Sequence, residues 1–331
     1  MDPSIDQLVA VSIKEFADLP RIPFDLYVRL PNGKFLLVIK AGMAASTRRL
    51  SSEAQSHLEE VWVRKTEYRK FVTRTVHTAQ TFLAGPPHNI PPKSKASILA
   101  MTANSVFSEI ERFGFSNESY SHARAITNSI VKMVDQKPEL SHIMSGLTLS
   151  QDRLVDHCIA VSAIAAMIGR ELNWQKDQTI EKIALGGMLH DIGKKELSPE
   201  LLNKPRIDYT HDEVIEYETH PYRGVQILQS VSNIPDDVIA MVYEHHENSI
   251  GQGFPRRLRE VRMNPLARVV AIANAFVNLT LPNINLSKAK SPLEAISYME
   301  NVQGRPYNRE AFLALKTLVD RDHKNKKVKV S

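Results

Sequence analysis

Residues able to hold a metal gather in the second half of the chain. Twelve histidines occur in 331 residues, and six of them fall between His157 and His246: His157, His190, His211, His220, His245 and His246. The strongest piece is "GGMLHDIGKKELSP" (186–199), where apolar Met188 and Leu189 lead into His190 and Asp191, and Gly193 ends or bends the element. Burying an imidazole beside a carboxylate is costly unless they are paired or bound to a metal. Neighbours on a helix point about 100° apart, so the two side chains can face two nearby ions with the carboxylate between them. Such ligands suit iron, manganese, zinc or nickel. His220 stands at a helix junction in "YETHPYRG" (217–224), His245 and His246 end a helix in "EHHENSIGQGFP" (244–255), and His157 lies on a helix in "VDHCIA" (155–160). Each histidine alone reads as an ordinary core or surface group; the pattern carries the expectation. A second His–Asp pair, His211–Asp212, sits in the capping box Thr210–Glu213 among polar neighbours and reads as a surface cap.

The elements that must position these residues follow from periodicity. Helical spacing predicts helices over 95–113, 119–134, 152–171, 177–191, 211–219, 221–231, 235–247, 265–280, 291–302 and 308–320. Ahead of them, "FDLYVRL" (24–30) alternates, "PNG" supplies a turn, and "KFLLVIK" (34–40) completes a hairpin signal. "SSEAQSHLEE" (51–60) reads as a short helix, "VWVRK" (61–65) as a strand, and "GPPHNIPP" (85–92) as a linker. The expected fold class is mainly α behind a small α/β module. The expected divisions are the module over 1–85, a linker with connecting helices over 86–148, a helical metal-binding domain over 149–322 and a basic tail over 323–331.

Composition excludes several classes. Apolar residues make up 43% and charged residues 24%, enough for a real core. The net charge of +5 owes much to the last residues, which read as a solvated terminus; no aromatic residues interleave there, so a nucleic-acid arm is disfavoured. Cys158 is the only cysteine, which rules out an internal disulfide and fits a reducing compartment. No signal-peptide core and no apolar run of the roughly 18 residues that span a bilayer occur, so a cytoplasmic protein without a membrane partner is expected.

In their order and approximate spacing, "HDIGK" (190–194), "LLNKP" (201–205), "THPYRGVQIL" (219–228), "HHE" (245–247), "GQGFP" (251–255) and "ARVVAIANAF" (267–276) resemble the HD-GYP family of the HD superfamily of metal-dependent phosphohydrolases. The resemblance covers roughly 150–320, and "IPFDLYVRLPNGKFLLVIKAG" resembles a module often placed ahead of such domains. It implies an all-helical domain hydrolysing cyclic di-GMP on two or three metals, often iron, in bacterial second-messenger signalling. By position, the implied ligands are His157, His190, Asp191 (bridging), His220, His245 and His246, with Asn274 at a further ligand position. Lys194 matches a lysine near the scissile phosphate, so Lys194 and Asp191 are the expected catalytic residues. Two divalent ions are expected, iron first and manganese second.

The chain departs from the pattern in five places. Phe254 replaces the tyrosine of GYP and keeps a ring without its hydroxyl. Ile250 stands where an acid usually shapes the loop. Asn274 replaces an aspartate, removing one negative charge, and Arg153 replaces an acid found in three-metal members, which favours two metals. The arginine-containing "RPYR" stretch expected after this helix is missing from "NLTLPNINLSKAKSP" (278–292). Lys288, Lys290, Arg256, Arg257 and Arg259 are candidate substitutes, although solvated loop positions explain them better. Two readings of different class result. One is a binuclear-metal phosphodiesterase for cyclic di-GMP or a related cyclic dinucleotide. The other is a metal-holding protein with weak or no turnover that signals through its N-terminal module or protein partners. An HD phosphohydrolase for another phosphate-containing molecule is a further alternative.

Overall fold

Alternating apolar residues build an antiparallel sheet at the N-terminus: β1 (Leu8–Ser12), β2 (Leu26–Arg29), β3 (Phe35–Ile39) and β4 (Glu60–Arg64), in the order β1-β4-β2-β3. The computed structural model describes residues 4–16, 21–43, 60–84, 90–136, 139–147, 152–303 and 306–330. The β2–β3 hairpin turns at Gly33, whose φ of 79° suits a residue without a Cβ. Helix α1 (Lys65–Leu83) follows β4 directly. Phe16, Phe24 and Phe71 meet edge to face, with centroids 5.1 Å apart for the first pair and 5.5 Å for Phe24–Phe71.

Neither β1 nor α1 is anticipated by the sequence reading. Helix α1 is rich in threonine and valine, which have weak helix propensity; its stripe of buried Tyr68, Val72, Val76 and Ala79 outweighs that preference. The short helix expected over 51–60 lies outside the described residues, except Glu60, which opens β4. Two compact units divide the chain, Met1–His77 and Thr78–Ser331.

The second unit is helical: α2 (Pro92–Phe113), α3 (Asn117–Asp135), α4 (Leu140–Leu147), α5 (Arg153–Glu171), α6 (Asp177–Leu189), α7 (Pro199–Leu202), α8 (His211–Glu218), α9 (His220–Gln229), α10 (Asp236–Glu244), α11 (Pro265–Thr280), α12 (Pro292–Asn301) and α13 (Arg309–Val330). The expected mainly helical architecture behind a small α/β module holds. Helix α5 is the centre: every residue from Cys158 to Gly169 is buried. A helix that is apolar all round must be covered on all sides, and α6, α11, α13, α2, α3 and α4 pack on it. Ser162 on α5 donates to the Ala184 carbonyl of α6 at 2.7 Å.

Three boundaries differ from expectation in instructive ways. Helix α6 ends at Leu189 and α10 at Glu244, so His190, Asp191, His245 and His246 stand just beyond helix ends. Helix α13 continues through the basic stretch expected to be a solvated tail, since no glycine or proline follows Arg309 to stop it. Among the described residues no helix is long and apolar enough to cross a membrane.

Candidate metal centre

One local device places three of the histidines. The last carbonyls of a helix lack intrahelical partners. The imidazole Nδ1 of His190 donates to the Gly187 carbonyl (2.7 Å), that of His220 to Tyr217 (2.7 Å), and that of His245 to Val242 (2.8 Å). Each accepting carbonyl belongs to the last turn of α6, α8 or α10, so each histidine caps the helix before it. A hydrogen on Nδ1 leaves Nε2 as a lone-pair acceptor in the neutral ring.

Those acceptors point at one another. His220 Nε2 lies 3.1 Å from His245 Nε2, and His157 Nε2 lies 3.2 Å from His190 Nε2. Asp191 stands between the pairs. Its Oδ1 is 3.3 Å from His220 Nε2 and 3.5 Å from His245 Nε2, and its Oδ2 is 3.2 Å from His190 Nε2 and 3.7 Å from His157 Nε2. Asp191 Oδ1 and His246 Nε2 are buried and lack a hydrogen-bond partner. Burial opposes relief of this crowding by protonation at His157, His220, His245 and His246. Burial, with the neighbouring His190, pushes His157 down to about 3. Burial also pushes His245 down to about 3, against the pull of Asp191. Burial lowers His246 well below its ordinary value and lowers His220 as well.

Buried acceptors facing each other, two of them with no donor at all, call for a cation. Separations of 3.1–3.3 Å suit neighbouring donors on one ion with bonds of about 2.1 Å. Two groups of suitable donors form, Asp191 with His220, His245 and His246, and Asp191 with His157 and His190, each with its donor atoms within 4.8 Å of one another. Asp191 belongs to both. The residues present therefore fit divalent metal.

The remaining expected residues fall as follows. Asn274 is buried on α11 beside His157, and its Oδ1 accepts from Asn278 Nδ2 at 2.8 Å. Lys194 donates to Asp191 Oδ2 at 2.6 Å. Burial alone would lower the Lys194 ammonium, but Asp191 and the Tyr217 hydroxyl hold it above its ordinary value. Burial works against ionised Asp191 too, yet His190 and Lys194 keep that carboxyl well below the usual range. His211 and Asp212 open α8 in the expected capping box, where Thr210 N donates to Glu213 at 2.7 Å.

Close backbone contact brings these pieces together. A Cβ on Gly193 would collide with the His220 carbonyl and the Gly224 nitrogen, so only glycine lets the 192–196 turn lie against α9. Gly253 likewise lies against the backbone of His246 and Glu247. Ahead of it, Asn248 Oδ1 accepts from the nitrogens of Ile250 (3.2 Å) and Gln252 (2.9 Å). Glu247 accepts from Arg256 N (2.7 Å) and Leu258 N (2.8 Å). Glu247 and Asn248 therefore shape this loop, and Ile250 is exposed. Phe254 stacks on His246 with centroids 4.2 Å apart and planes at 22°. It joins Leu197, Leu201, Tyr217, Leu202 and Tyr209 in an apolar cluster.

A cleft of about 680 Å³ opens beside His157, Asp191 and Lys194, within the roughly 300–1,000 Å³ of small-molecule sites. Its walls include Arg153, Arg206, Tyr209, Tyr217, Asn278 and Asn285. Neither Phe254 nor any of Arg256, Arg257, Arg259, Lys288 and Lys290 lines it. Arg256 lies over the Tyr243 ring at 5.8 Å and Lys290 over the Tyr298 ring at 5.0 Å. Of the cleft's cations, sequence reasoning passed over Arg206. The signal for it is weak, a basic residue directly after "LLNKP".

A helical unit with buried histidines around one shared aspartate defines a metal-binding domain of the His–Asp type. The family model described as "HD domain" matches residues 115–310, more than half of the chain, and the chain belongs to that family. It is 28% identical over 159 residues to the cyclic di-GMP phosphodiesterase PA4108 of Pseudomonas aeruginosa, covering 48% of this chain and 38% of that protein. It is also 28% identical over 230 residues to a cyclic di-GMP phosphodiesterase of Thermotoga maritima, covering 67% of this chain and 55% of that one. The chain thus spans 38% and 55% of the length of these two relatives. The solved structure of Bd1817, an HDG"Y"P protein from Bdellovibrio bacteriovorus, shares the fold with a TM-score of 0.68 at 21% identity, covering 95% of this chain and 99% of that one.

Proposed function

We propose that this protein is a metal-dependent phosphodiesterase that hydrolyses cyclic di-GMP or a related cyclic dinucleotide on a two-metal centre, with iron as the expected metal and manganese as the alternative. The observation that carries the reading is the convergence of two groups of donor atoms on one shared carboxylate, Asp191, with the buried Asp191 Oδ1 and His246 Nε2 left without a hydrogen-bond partner. Relatives named as cyclic di-GMP phosphodiesterases support the substrate class. Divalent ions held here would supply Lewis-acid polarisation of a phosphoryl oxygen and a lowered pKa for an attacking water.

The chain's own residues do the rest. His157 and His190 hold one side, His220, His245 and His246 the other, and Asp191 joins them. The helix-end carbonyls lock three of the imidazoles, so the ligands need little reorganisation on binding. Lys194 brings a positive charge to the edge of the cleft, where it would stabilise charge developing on the phosphoryl oxygens. Phe254 braces His246 from behind through ring stacking.

A second reading is favoured by Asn274. Its Oδ1 is already engaged by Asn278, and it offers no charge to the His157–His190 side. A centre weakened there would hold metal and signal through partners with little turnover.

The test is to purify the protein with and without oxygen, count its metals, and assay cyclic di-GMP with iron and with manganese. Two metals per chain with turnover is the expected result. Two metals without turnover in either redox state would leave the binding-protein reading, and no metal at all would end both.

A further inference from the structure

Resting on the phosphodiesterase reading, we propose that Arg206 binds the second, non-scissile phosphate of the cyclic dinucleotide, making this loop arginine a substrate-binding residue. The cleft is lined on one side by Asp191 and Lys194 and elsewhere by Arg206. A substrate with two phosphates needs a second cation beyond the metal side. Lys194 is not that cation, because it is held by Asp191 at 2.6 Å.

Arg206 is built for the role by three contacts. Its Cζ lies 4.6 Å from the Tyr217 centroid, and that same ring lies 4.9 Å from the His220 ring. One aromatic side chain therefore separates the guanidinium from a metal-side imidazole. Its backbone is held in the short turn Arg206–Asp208, and its N–H donates to Asn285 Oδ1 at 2.8 Å, which joins the two loops that wall the cleft. The ring beneath it is fixed in turn: Tyr217 is buried in the cluster with Leu197 and Leu201, and Tyr209 meets it edge to face at 5.8 Å.

The guanidinium is also uncommitted. Arg170 is paired with Asp135, Arg268 with Glu260 and Arg321 with Glu171. Among the described residues no carboxylate pairs with Arg206. A guanidinium lying over a ring keeps its in-plane N–H groups for another partner, and its fork matches two oxygens of one phosphate. Lysine cannot reproduce that geometry, which gives the inference a chemical signature.

The experiment uses the metal-loaded full chain and two substrates. Cyclic di-GMP carries two phosphodiesters, whereas bis(p-nitrophenyl) phosphate carries one and has nothing to reach Arg206. For Arg206→Ala, KM for cyclic di-GMP should rise about tenfold with a smaller fall in kcat, as expected when ground-state binding is removed. The preference for cyclic di-GMP over the single diester should fall by a similar factor, and Arg206→Lys should recover only part of it. Arg206 is exposed, so folding is not at issue, and metal content is measured alongside. An unchanged KM in an active Arg206→Ala protein overturns this inference alone, as does equal impairment on both substrates or full recovery by lysine. A wild-type protein that cleaves the single diester but neither binds nor cleaves cyclic di-GMP overturns the substrate reading itself, and the inference with it.

Discussion

At the inner end of the cleft, His190, His220 and His245 are fully buried, and each is tied to a helix carbonyl. At its outer wall, Arg206, Asn278 and Asn285 are exposed, two of them on loops; Arg206 N donates to the Asn285 side chain and the Asn278 side chain donates to that of Asn274. The inner residues gain their positions from helix packing around α5. The outer ones depend on contacts such as Arg206 N to Asn285, between residues 79 apart in the chain. A helix end fixes a ligand to within a rotamer, while a loop can exchange residues without disturbing the core. On the proposed function, metal chemistry and substrate choice would thus be carried by parts with different tolerance to change.

The largest break in this contrast should come from Asp191→Ala. It removes the one carboxylate common to both ligand groups and leaves Lys194 without its partner. Metal content should fall to near zero, by more than the roughly 10–100-fold typical of losing an outer partner of a ligand. Elemental analysis of the purified variant checks this. A variant that keeps two tightly held metals would show that Asp191 is not shared.

Acid should act next, on metal-free protein. His157 and His245 are pushed down to about 3 in the folded state, against about 6.5 in the unfolded chain. Between those values the unfolded state binds more protons, so stability falls as pH falls from about 6.5 towards 3. At pH 5 each of these imidazoles costs roughly 2 kcal/mol. Asp191, held low, adds a loss only at still lower pH. Thermal melts of chelator-treated protein should drop steeply from pH 6.5 to 5 and stay flat above pH 7. A flat profile throughout would mean that the imidazoles are solvated.

Gly193→Ala tests how the inner half is assembled. The added methyl meets the His220 carbonyl, which belongs to backbone and cannot yield cheaply. A destabilisation of about 1–3 kcal/mol is expected from overpacking, with metal affinity reduced because Asp191 and His220 are forced apart. Denaturant unfolding with and without manganese separates the two effects. Equal loss in both conditions would make Gly193 a purely structural glycine.

Much of the inner half was legible because its residue types are informative in themselves. A histidine–aspartate pair after an apolar helix and before glycine is hard to explain as surface, and the same two letters at His211–Asp212 were separable by their polar setting. What sequence could not supply was the capping role of the imidazoles, which depends on where α6, α8 and α10 stop. The outer wall was less legible. Motif position points to arginines near Phe254, yet the cleft is lined by Arg206 from another loop. Phe254 itself stacks on His246 rather than facing the cleft. In the N-terminal unit, the hairpin was announced by alternation and Gly33, whereas α1 forms through burial of a stripe in a sequence of weak propensity.

The finest test exchanges one atom. Asn274→Asp restores a carboxylate beside His157 without changing size. In metal-free protein the new charge is buried beside His157 and the Asn278 amide, with no bound metal to offset its desolvation, so stability should fall. With metal, the same charge attracts the ion, and affinity on the His157–His190 side should rise about tenfold, since anionic oxygen is a stronger ligand than an amide. Calorimetric titration with manganese should show one of two sites strengthened. Asn274 belongs to the inner half, so KM for a cyclic dinucleotide should stay near its starting value, the opposite of the effect expected from Arg206. An Asn274→Asp protein with altered KM and unaltered metal affinity would place this residue among the substrate contacts and dissolve the separation between the two halves.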